Sequence, residues 1–577
     1  MNAERGSRPV RIANCSGFFG DRLSAAREMV EGGPIDFLTG DWLAELTMLI
    51  LWKQRRRNSE AGYASTFLTQ MEQVLGTCVD RGIKIVTNAG GLNPAGCADR
   101  VRDLATRLGL NVRVAHVEGD DLMDRIDGLR PHLNHLDTGA PFGIEPVSAN
   151  AYLGAWGIVA ALDAGADVVV CPRVTDASVI VGPAAWWWNW QRTDWDRLAG
   201  AVAAGHVIEC GAQTTGGNYS FFSEIPDLSK PLGFPIAEIE ADGSSVITKH
   251  PGTGGVVSVG TVTAQLLYEI GSPGYLNPDV VTRVDTIALA PEGPDRVRIS
   301  GVRGEPAPPT TKVCINFEGG FRNRMTFCLT GPNQAQKADW ITTQVFARLG
   351  GRDRFDDCDV RFVEAPSDAA TQEQATGRLH ITVKDPDERK VGRAFSSACA
   401  ELTLASIPGF FTTTPPGEAQ PYGVYWPALV PSEAVHHVAV LHDGRRISIV
   451  PSPTAPAPDR PIAPPPAPRV PPRPLAAGHA LGERFGARSG DKGGNANVGI
   501  WARQDDDYVW LAEWLTADRL RAMIPEAAGL EVRRYELPNL RALNFVVVGL
   551  LGEGVASTTA FDTQAKGLGE FIRSRRV

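Results

Sequence analysis

At 577 residues the chain exceeds what one ordinary core accommodates, and about three or four compact units are expected. Hydrophobic residues at 43% and charged residues at 21% exclude a disordered chain. A net charge of −9 argues against a nucleic-acid partner, which wants a basic face.

The N-terminal stretch MNAERGSRPVRIANCSGFF holds no apolar run of signal-peptide length. From there to about residue 225, strand-like and helix-like segments alternate. Strands are expected at 11–15, 35–38, 83–88, 111–119 and 167–174, with helices at 22–31, 71–81, 94–110 and 151–165. The helix at 94 opens on proline, repeats Val101, Leu104, Ala105 and Leu108 at helical spacing, and ends on glycine. Short links between strand, helix and strand indicate a parallel sheet covered by helices. A Rossmann-like, doubly wound α/β sheet is the first reading and a partial barrel the second. The apolar stretch ASVIVGPAAWWWNW at 177–190 falls short of the roughly 20 residues a membrane span needs. Its tryptophans read as buried core or subunit contact, because a bare patch of that size is rare on a soluble surface.

From 229 to 450 short β-rich runs such as KVCINFEG and RLHITVKD alternate with Gly, Pro and Asp turns, the pattern of a second α+β subdomain. Residues 451–474, PSPTAPAPDRPIAPPPAPRVPPRP, are too rich in proline for helix or central strand and read as a semi-rigid linker. The tail, 475–577, shows strands at 498–501, 531–537 and 544–549 with helices at 517–524 and 564–572, a small ferredoxin-like α+β domain. The domain plan is therefore 1–228, 229–450, linker 451–474 and 475–577.

Ligands of open parallel sheets bind beyond the carboxyl ends of the strands. Those ends carry Gly17 and Asp21, then TGDWLAE with Asp41 and Glu45 expected on one helix face. NAGGLNP follows with Asn88, Gly90, Gly91 and Asn93, then EGDD at 118–121, and PRVTDAS with Arg173 and Asp176. Any single Asn or Asp there reads first as a helix cap or turn former. Five polar strand ends in succession point to one ligand site. HVIECGAQTTGGNYS, 206–220, adds Glu209, Cys210, Gln213, Thr215 and Gly216. Cys210 is a candidate nucleophile with His206 as its base, against the commoner reading of a cysteine as buried filler. TKHPGTGGVVS lacks the GK[ST] ending of a nucleotide loop, but Lys249, Thr253 and Gly254 suit an anion. No GxGxxG follows a strand, so no nicotinamide or flavin is indicated. His132 and His135 stand in no HExxH frame, and the scattered cysteines lack CxxC spacing. No metal and no cofactor are expected, and the thiols read as reduced, in a cytoplasmic protein.

The same residues carry a resemblance. SGFFGDR (16–22), GDWLAELTM (40–48), IVTNAGGLNPAG (85–96), the run from Asn150 through PRVTDASV (150–179), GHVIECGAQTTGGNY (205–219), the stretch through TKHPGTGGVV (233–257) and KVCINFEGG (312–320) resemble the acyclic terpene utilisation, AtuA-type, family. ARSGDKGGNANVGIWAR, 487–503, resembles the ferredoxin-like domain that often follows it. The tryptophan cluster at 186–190 departs from the family pattern. The resemblance implies breakdown of acyclic monoterpenoids beside enzymes of branched acyl-CoA thioesters, and it assigns no catalytic residue.

Two readings follow. The first is an enzyme on a branched or unsaturated acyl-CoA, by hydration, dehydration or thioester cleavage. Asp41, Glu45 and Asp176 would act as acid and base, and the glycines at 90–91 and 216–217 as backbone oxyanion donors. Arg173, Lys249 and Lys492 would hold a substrate carboxylate or coenzyme phosphate, coenzyme A entering as part of the substrate. The second is a non-catalytic accessory subunit of an acyl-CoA carboxylase or dehydrogenase assembly. A homo-oligomer is expected under both. The Gly-rich stretch 484–502 reads as a loop that docks on the body through Arg488, Ser489, Asp491, Lys492, Asn495 and Asn497 and completes the site or a subunit contact. The alternative is a local turn whose charges pair with each other.

Overall fold

The computed structural model describes residues 5–366, 368–455 and 466–577. The linker expected at 451–474 therefore lies partly outside the described residues. Two compact units form. One comprises the chain up to Asn316 together with Tyr425–Val555 and Asp562–Val577, and the other Phe317–Val424 with Ala556–Phe561.

The first unit is organised by an eleven-stranded sheet. Its centre is parallel: β1 (Val10–Asn14), β2 (Phe37–Gly40), β3 (Lys84–Gly91) and β4 (Val114–Glu118), with β6 (Val168–Pro172) inserted between β3 and β4. The short β5 (Ser148–Ala151) lies outside this sheet, antiparallel to the start of β14 (Thr310–Thr330). Residues alternate strictly between two cores. Ala13, Leu38, Ile85 and Val170 face the helices Ala25–Glu31, Ser65–Arg81 and Pro94–Arg107. Ile12, Phe37, Val86 and Val169 face Trp156–Asp163, Ser178–Trp188 and Trp195–Ile208. Burial on both faces explains why these strands read as continuous apolar runs.

Helices thus cover both faces, but the Rossmann-like winding goes no further. The first three strands follow chain order and the fifth parallel strand inserts before the fourth, so no reversal at β1 arises. Beyond β1 the sheet continues antiparallel through β7 (Pro235–Ile239), β8 (Ser245–Lys249), β12 (Arg296–Ser300) and β11 (Ala288–Gly293). The boundary expected at 228 therefore falls inside one sheet. At the far edge β19 (Val438–Val440) and β20 (Arg446–Ser448) complete it. β9 (Gly274–Leu276), β10 (Val281–Arg283) and β13 (Arg303–Glu305) make a separate three-stranded sheet.

The tryptophans of 186–190 are core. Trp186, Trp187 and Trp190 are buried, and the indole N–H groups of Trp187, Trp188 and Trp190 donate to the carbonyls of Arg8, Ile239 and Ala241. A buried indole needs such an acceptor, and the neighbouring backbone provides one for each of these three.

In the second unit the later part of β14 pairs with β16 (Thr376–Asp385), which pairs with β15 (Asp357–Val363), under the helix Gln334–Leu349. β17 (Phe410–Phe411) and β18 (Gln420–Pro431) also pair with β14. The tail is a four-stranded antiparallel sheet, β21 (Gly486–Lys492), β22 (Asn495–Trp501), β24 (Ala542–Val547) and β23 (Val532–Leu537), in that order, with helices Asp505–Trp514, Ala517–Met523 and Leu568–Arg573. The stretch read as a docking loop is thus the hairpin of β21 and β22.

Candidate functional site

The carboxyl ends of the parallel strands bring the first groups together. Asn88 is fully buried within β3 just past Thr87, where regular pairing with β2 and β6 ends. It donates through Nδ2 to Asp41 Oδ1 at 2.5 Å and accepts from the Trp42 amide at 2.8 Å. Arg173, one residue past β6, donates to the Leu43 carbonyl at 2.9 Å and lies 2.9 Å from Asp176 Oδ1. Asp41 and Glu45 do not share a helix face as expected. Asp41 sits in the turn, and the helix Glu45–Arg57 begins at Glu45.

Glu45 accepts from the Tyr152 hydroxyl at 3.0 Å and lies 3.4 Å from Lys312 Nζ. The Tyr152 ring carries two cations, Arg173 at 4.3 Å and Lys312 at 5.0 Å from its centroid. The helix Trp195–Ile208 delivers His206, and Glu209 and Cys210 follow at its end. His206 Nδ1 lies 3.4 Å from Glu209 Oε1, and its ring packs on Tyr275 of β9. Gly17 permits this approach: a Cβ there would fall 2.5 Å from the Cys210 carbonyl carbon. Asp21 holds the turn by accepting from the Gly17 amide at 2.9 Å.

The tail closes the cluster. Arg488 of β21 donates to Gln213 Oε1, and its guanidinium lies 4.1 Å over the Tyr268 ring. Lys492 donates to the Glu269 carbonyl at 2.8 Å. Glu45, Asp176 and Lys312 keep 26%, 23% and 33% of their side-chain surface although protein surrounds them, so the cluster borders a cleft that water reaches.

Over residues 10–441 the chain matches the model of the acyclic terpene utilisation family protein AtuA, and over 481–577 that of the AtuA ferredoxin-like domain. The chain belongs to the acyclic terpene utilisation, AtuA, family. No curated protein and no solved structure matches it. Membership in the AtuA family suggests involvement in acyclic terpene utilisation.

The electrostatics of this AtuA-family cleft divide its acids. Burial first, then the charge of Asp176, holds the Asp41 carboxyl well above the ordinary range, against the opposing pull of Arg173. Burial and then Asp176 and Glu269 do the same to Glu209. Asp176 is itself raised by burial, which Arg173 opposes. Asp491 of the tail is pushed up to about 7 by burial and Glu269. Glu45 goes the other way: burial would raise it, but Lys312 and Arg173 together bring it to about 2. The cleft thus sets carboxyls held toward protonation beside one held ionised, the arrangement that general acid and base in one site require. Burial, then Glu209, Glu269 and Asp41, keeps the Cys210 thiol well above its usual range. That environment opposes a thiolate, and His206 faces Glu209 instead of acting on Cys210.

Other expected residues serve the frame. Asn93 caps the helix Pro94–Arg107 by accepting from the Gly96 amide. Asn150 donates to Asp120, which also accepts from the Arg173 amide, so this pair stands behind the site and steadies the arginine. Gly90 lies against Cys171 and Pro94, and Gly91 against Leu51. The amides of Gly216 and Gly217 donate to Gln213 and Ala212, and so are spent within their own turn instead of facing a ligand as oxyanion donors. Thr215 bonds the Gly233 carbonyl. Lys249 pairs with Asp295 at 3.0 Å and bonds the Thr253 carbonyl, and Gly254 packs against the Pro231 carbonyl. This loop is therefore no free anion site. Sequence reasoning missed Tyr152, Glu269, Tyr275 and Lys312. Tyr152 and Lys312 lie inside family-matched stretches, which was the available signal. Among the described residues no group of three or more His, Cys, Asp or Glu has metal-holding geometry, and all nine cysteines are free.

Proposed function

We propose that this AtuA-family chain is an enzyme that adds water to, or removes it from, a branched or unsaturated acyl-CoA-type thioester by carboxylate acid and base chemistry. The observation that carries the reading is the convergence of Asp41, Asp176 and Glu209, all held toward the protonated form, around the buried Arg173. In the hydration direction an ionised carboxylate takes a proton from water as its oxygen bonds the β-carbon. The displaced electron pair moves toward the thioester oxygen, and a protonated carboxyl gives its proton to the α-carbon. Each such transfer contributes about 10²–10⁴-fold. With the glycine amides at 216–217 spent, backbone donation to the thioester oxygen falls to the glycines at 90–91, and the cations Arg173, Lys312 and Lys492 supplement it. The protonated state of Cys210 favours water addition over thioester cleavage through that thiol. Coenzyme A enters as part of the substrate.

Incubating the pure full chain with a panel of branched, unsaturated acyl-CoA thioesters and measuring their intact masses tests this. Gain or loss of one water is expected. If no thioester changes and the protein instead co-purifies with an acyl-CoA carboxylase or dehydrogenase, the accessory-subunit reading replaces this one.

A further inference from the structure

Glu269 is unusual in its backbone. It occupies the left-handed region at φ +57°, where a residue with a Cβ sits at a cost that must be offset elsewhere. The tail provides the compensation. Asn497 Oδ1, at the centre of β22, accepts from the Glu269 amide at 2.8 Å, and Lys492 Nζ donates to the Glu269 carbonyl at 2.8 Å. Asn544 Nδ2 of β24 donates to the Gly271 carbonyl at 2.7 Å, and its Oδ1 accepts from Asn497 Nδ2 at 2.5 Å. Both asparagines are fully buried. On the other side of the turn, Arg488 and Lys566 lie over the Tyr268 ring at 4.1 and 4.4 Å. Two buried amides and three cations of the tail therefore grip a four-residue turn of the body, Tyr268 to Gly271.

What the grip presents is a carboxylate. Glu269 is partly exposed, makes no side-chain hydrogen bond or ion pair among the described residues, and stands within electrostatic reach of Asp176, Glu209, Cys210, Tyr275 and Asp491. Three other acids are engaged: Asp41 by Asn88, Asp176 by Arg173, Glu45 by Tyr152 and Lys312, while Glu209 and Asp491 are held toward the protonated form. We infer that Glu269 is a further catalytic residue, the proton acceptor of the cleft, and that the ferredoxin-like domain is a positioning device which holds its backbone in the left-handed conformation. This inference rests on the acid–base reading of the site for its catalytic half, and on geometry alone for its positioning half.

Cys210 reports on the placement without any substrate. Its thiol feels the charges of Glu209, Glu269, Asp41 and Lys566, and it is partly exposed. In the full chain, alkylation of Cys210 by iodoacetamide is followed across pH by peptide mass spectrometry. Glu269→Gln should raise its rate at a fixed pH about tenfold, the equivalent of about one pKa unit. Asn497→Ala should raise it in the same direction, and should add nothing in the Glu269→Gln background, since both act through one carboxylate. Should Asn497→Ala fail to fold, Asn544→Ser loosens the same turn from the neighbouring strand and is read in its place. An unchanged Cys210 profile in Glu269→Gln overturns the placement of the carboxylate. A folded Asn497→Ala and a folded Asn544→Ser that both keep the wild-type profile overturn the positioning role. On any thioester found to turn over, Glu269→Gln should lose kcat at least about 100-fold with little change in KM, and retained kcat overturns the catalytic role. If the Cys210 profile moves as expected while no thioester is altered, the positioning stands and the hydration reading falls.

Discussion

The guanidinium of Arg173 lies 2.9 Å from Asp176 Oδ1, and Arg173 is almost wholly enclosed, with 3% of its side chain exposed. Each residue makes the other tolerable: the cation opposes the burial that raises Asp176, and it also restrains Asp41. Arg173→Met removes the charge but keeps the volume. It should destabilise the fold by about 3 kcal/mol, because an uncompensated buried acid is left behind. Urea denaturation at pH 7 measures this. The same variant should abolish turnover, and a variant of wild-type stability would show that the pair carries no structural load.

Glu45 makes the opposite pH prediction to the other acids. Its folded value of about 2 lies below the ordinary 4.5, so its ionised form is favoured by folding. The stabilisation is complete above about pH 5 and disappears as the pH falls through 2. Glu45→Gln should therefore cost about 2 kcal/mol at pH 7, a figure reduced for the quarter of the side chain that water still screens. The difference from wild type should shrink steadily between pH 5 and pH 2. A gap independent of pH would assign the loss to packing instead of charge.

Much of this site was legible in the sequence because strand ends of a parallel sheet obey a simple rule. Asp41, Arg173 and Asp176 follow strands and Asn88 lies where the regular pairing of β3 ends, and the rule assembles them without knowledge of strand order. Glu209 and Cys210 were visible only through their glycine-rich surroundings. Lys312 and Tyr152 were not visible locally: they meet because β5 pairs antiparallel with β14, Asn150 opposite Cys314, a long-range register that no periodicity announces. Glu269 was hidden for a different reason, since a strained glutamate in a turn has no pattern at all. The strand β21 was read as a loop because of its glycines. Gly490 is there for space, as a Cβ would collide with the Tyr268 ring. Of the antiparallel strands from 235 to 300, Pro235–Ile239 and Ser245–Lys249 are buried almost throughout and Arg296–Ser300 alternates, and nothing in them tells which sheet they join.

Gly17 offers a test of the cleft wall independent of charge. The loop after β1 lies directly on the Cys210 backbone, and a methyl group at Gly17 would meet its carbonyl carbon at 2.5 Å and its Cα at 2.8 Å. Backbone cannot rotate away as a flexible side chain can. Gly17→Ala should cost about 1–3 kcal/mol in thermal or urea denaturation and reduce any turnover by displacing Glu209 and Cys210. Wild-type stability in this variant would mean that the loop and the helix end separate freely.

Glu209 closes the electrostatic account. It is 3% exposed, and Oε2 has no hydrogen-bond partner among the described residues. Burial, then Asp176 and Glu269, lifts its carboxyl well above the ordinary 4.5. The folded chain thus binds a proton that the unfolded chain releases once the pH passes the ordinary carboxylate range. Its contribution to stability is complete below about pH 4 and is lost as the pH rises toward the elevated folded value. Glu209→Gln imitates the protonated form at every pH. Its stability should match wild type near pH 4 and exceed it progressively above pH 5, by about 1 kcal/mol or more for each pH unit over which the glutamate stays protonated in the fold. Parallel urea titrations from pH 4 to pH 9 read the difference, with turnover expected to fall in the same variant because the glutamine cannot exchange a proton. A glutamine variant that loses stability as the pH rises, relative to wild type, would mean that Glu209 is ionised in the folded cleft and cannot serve as its acid.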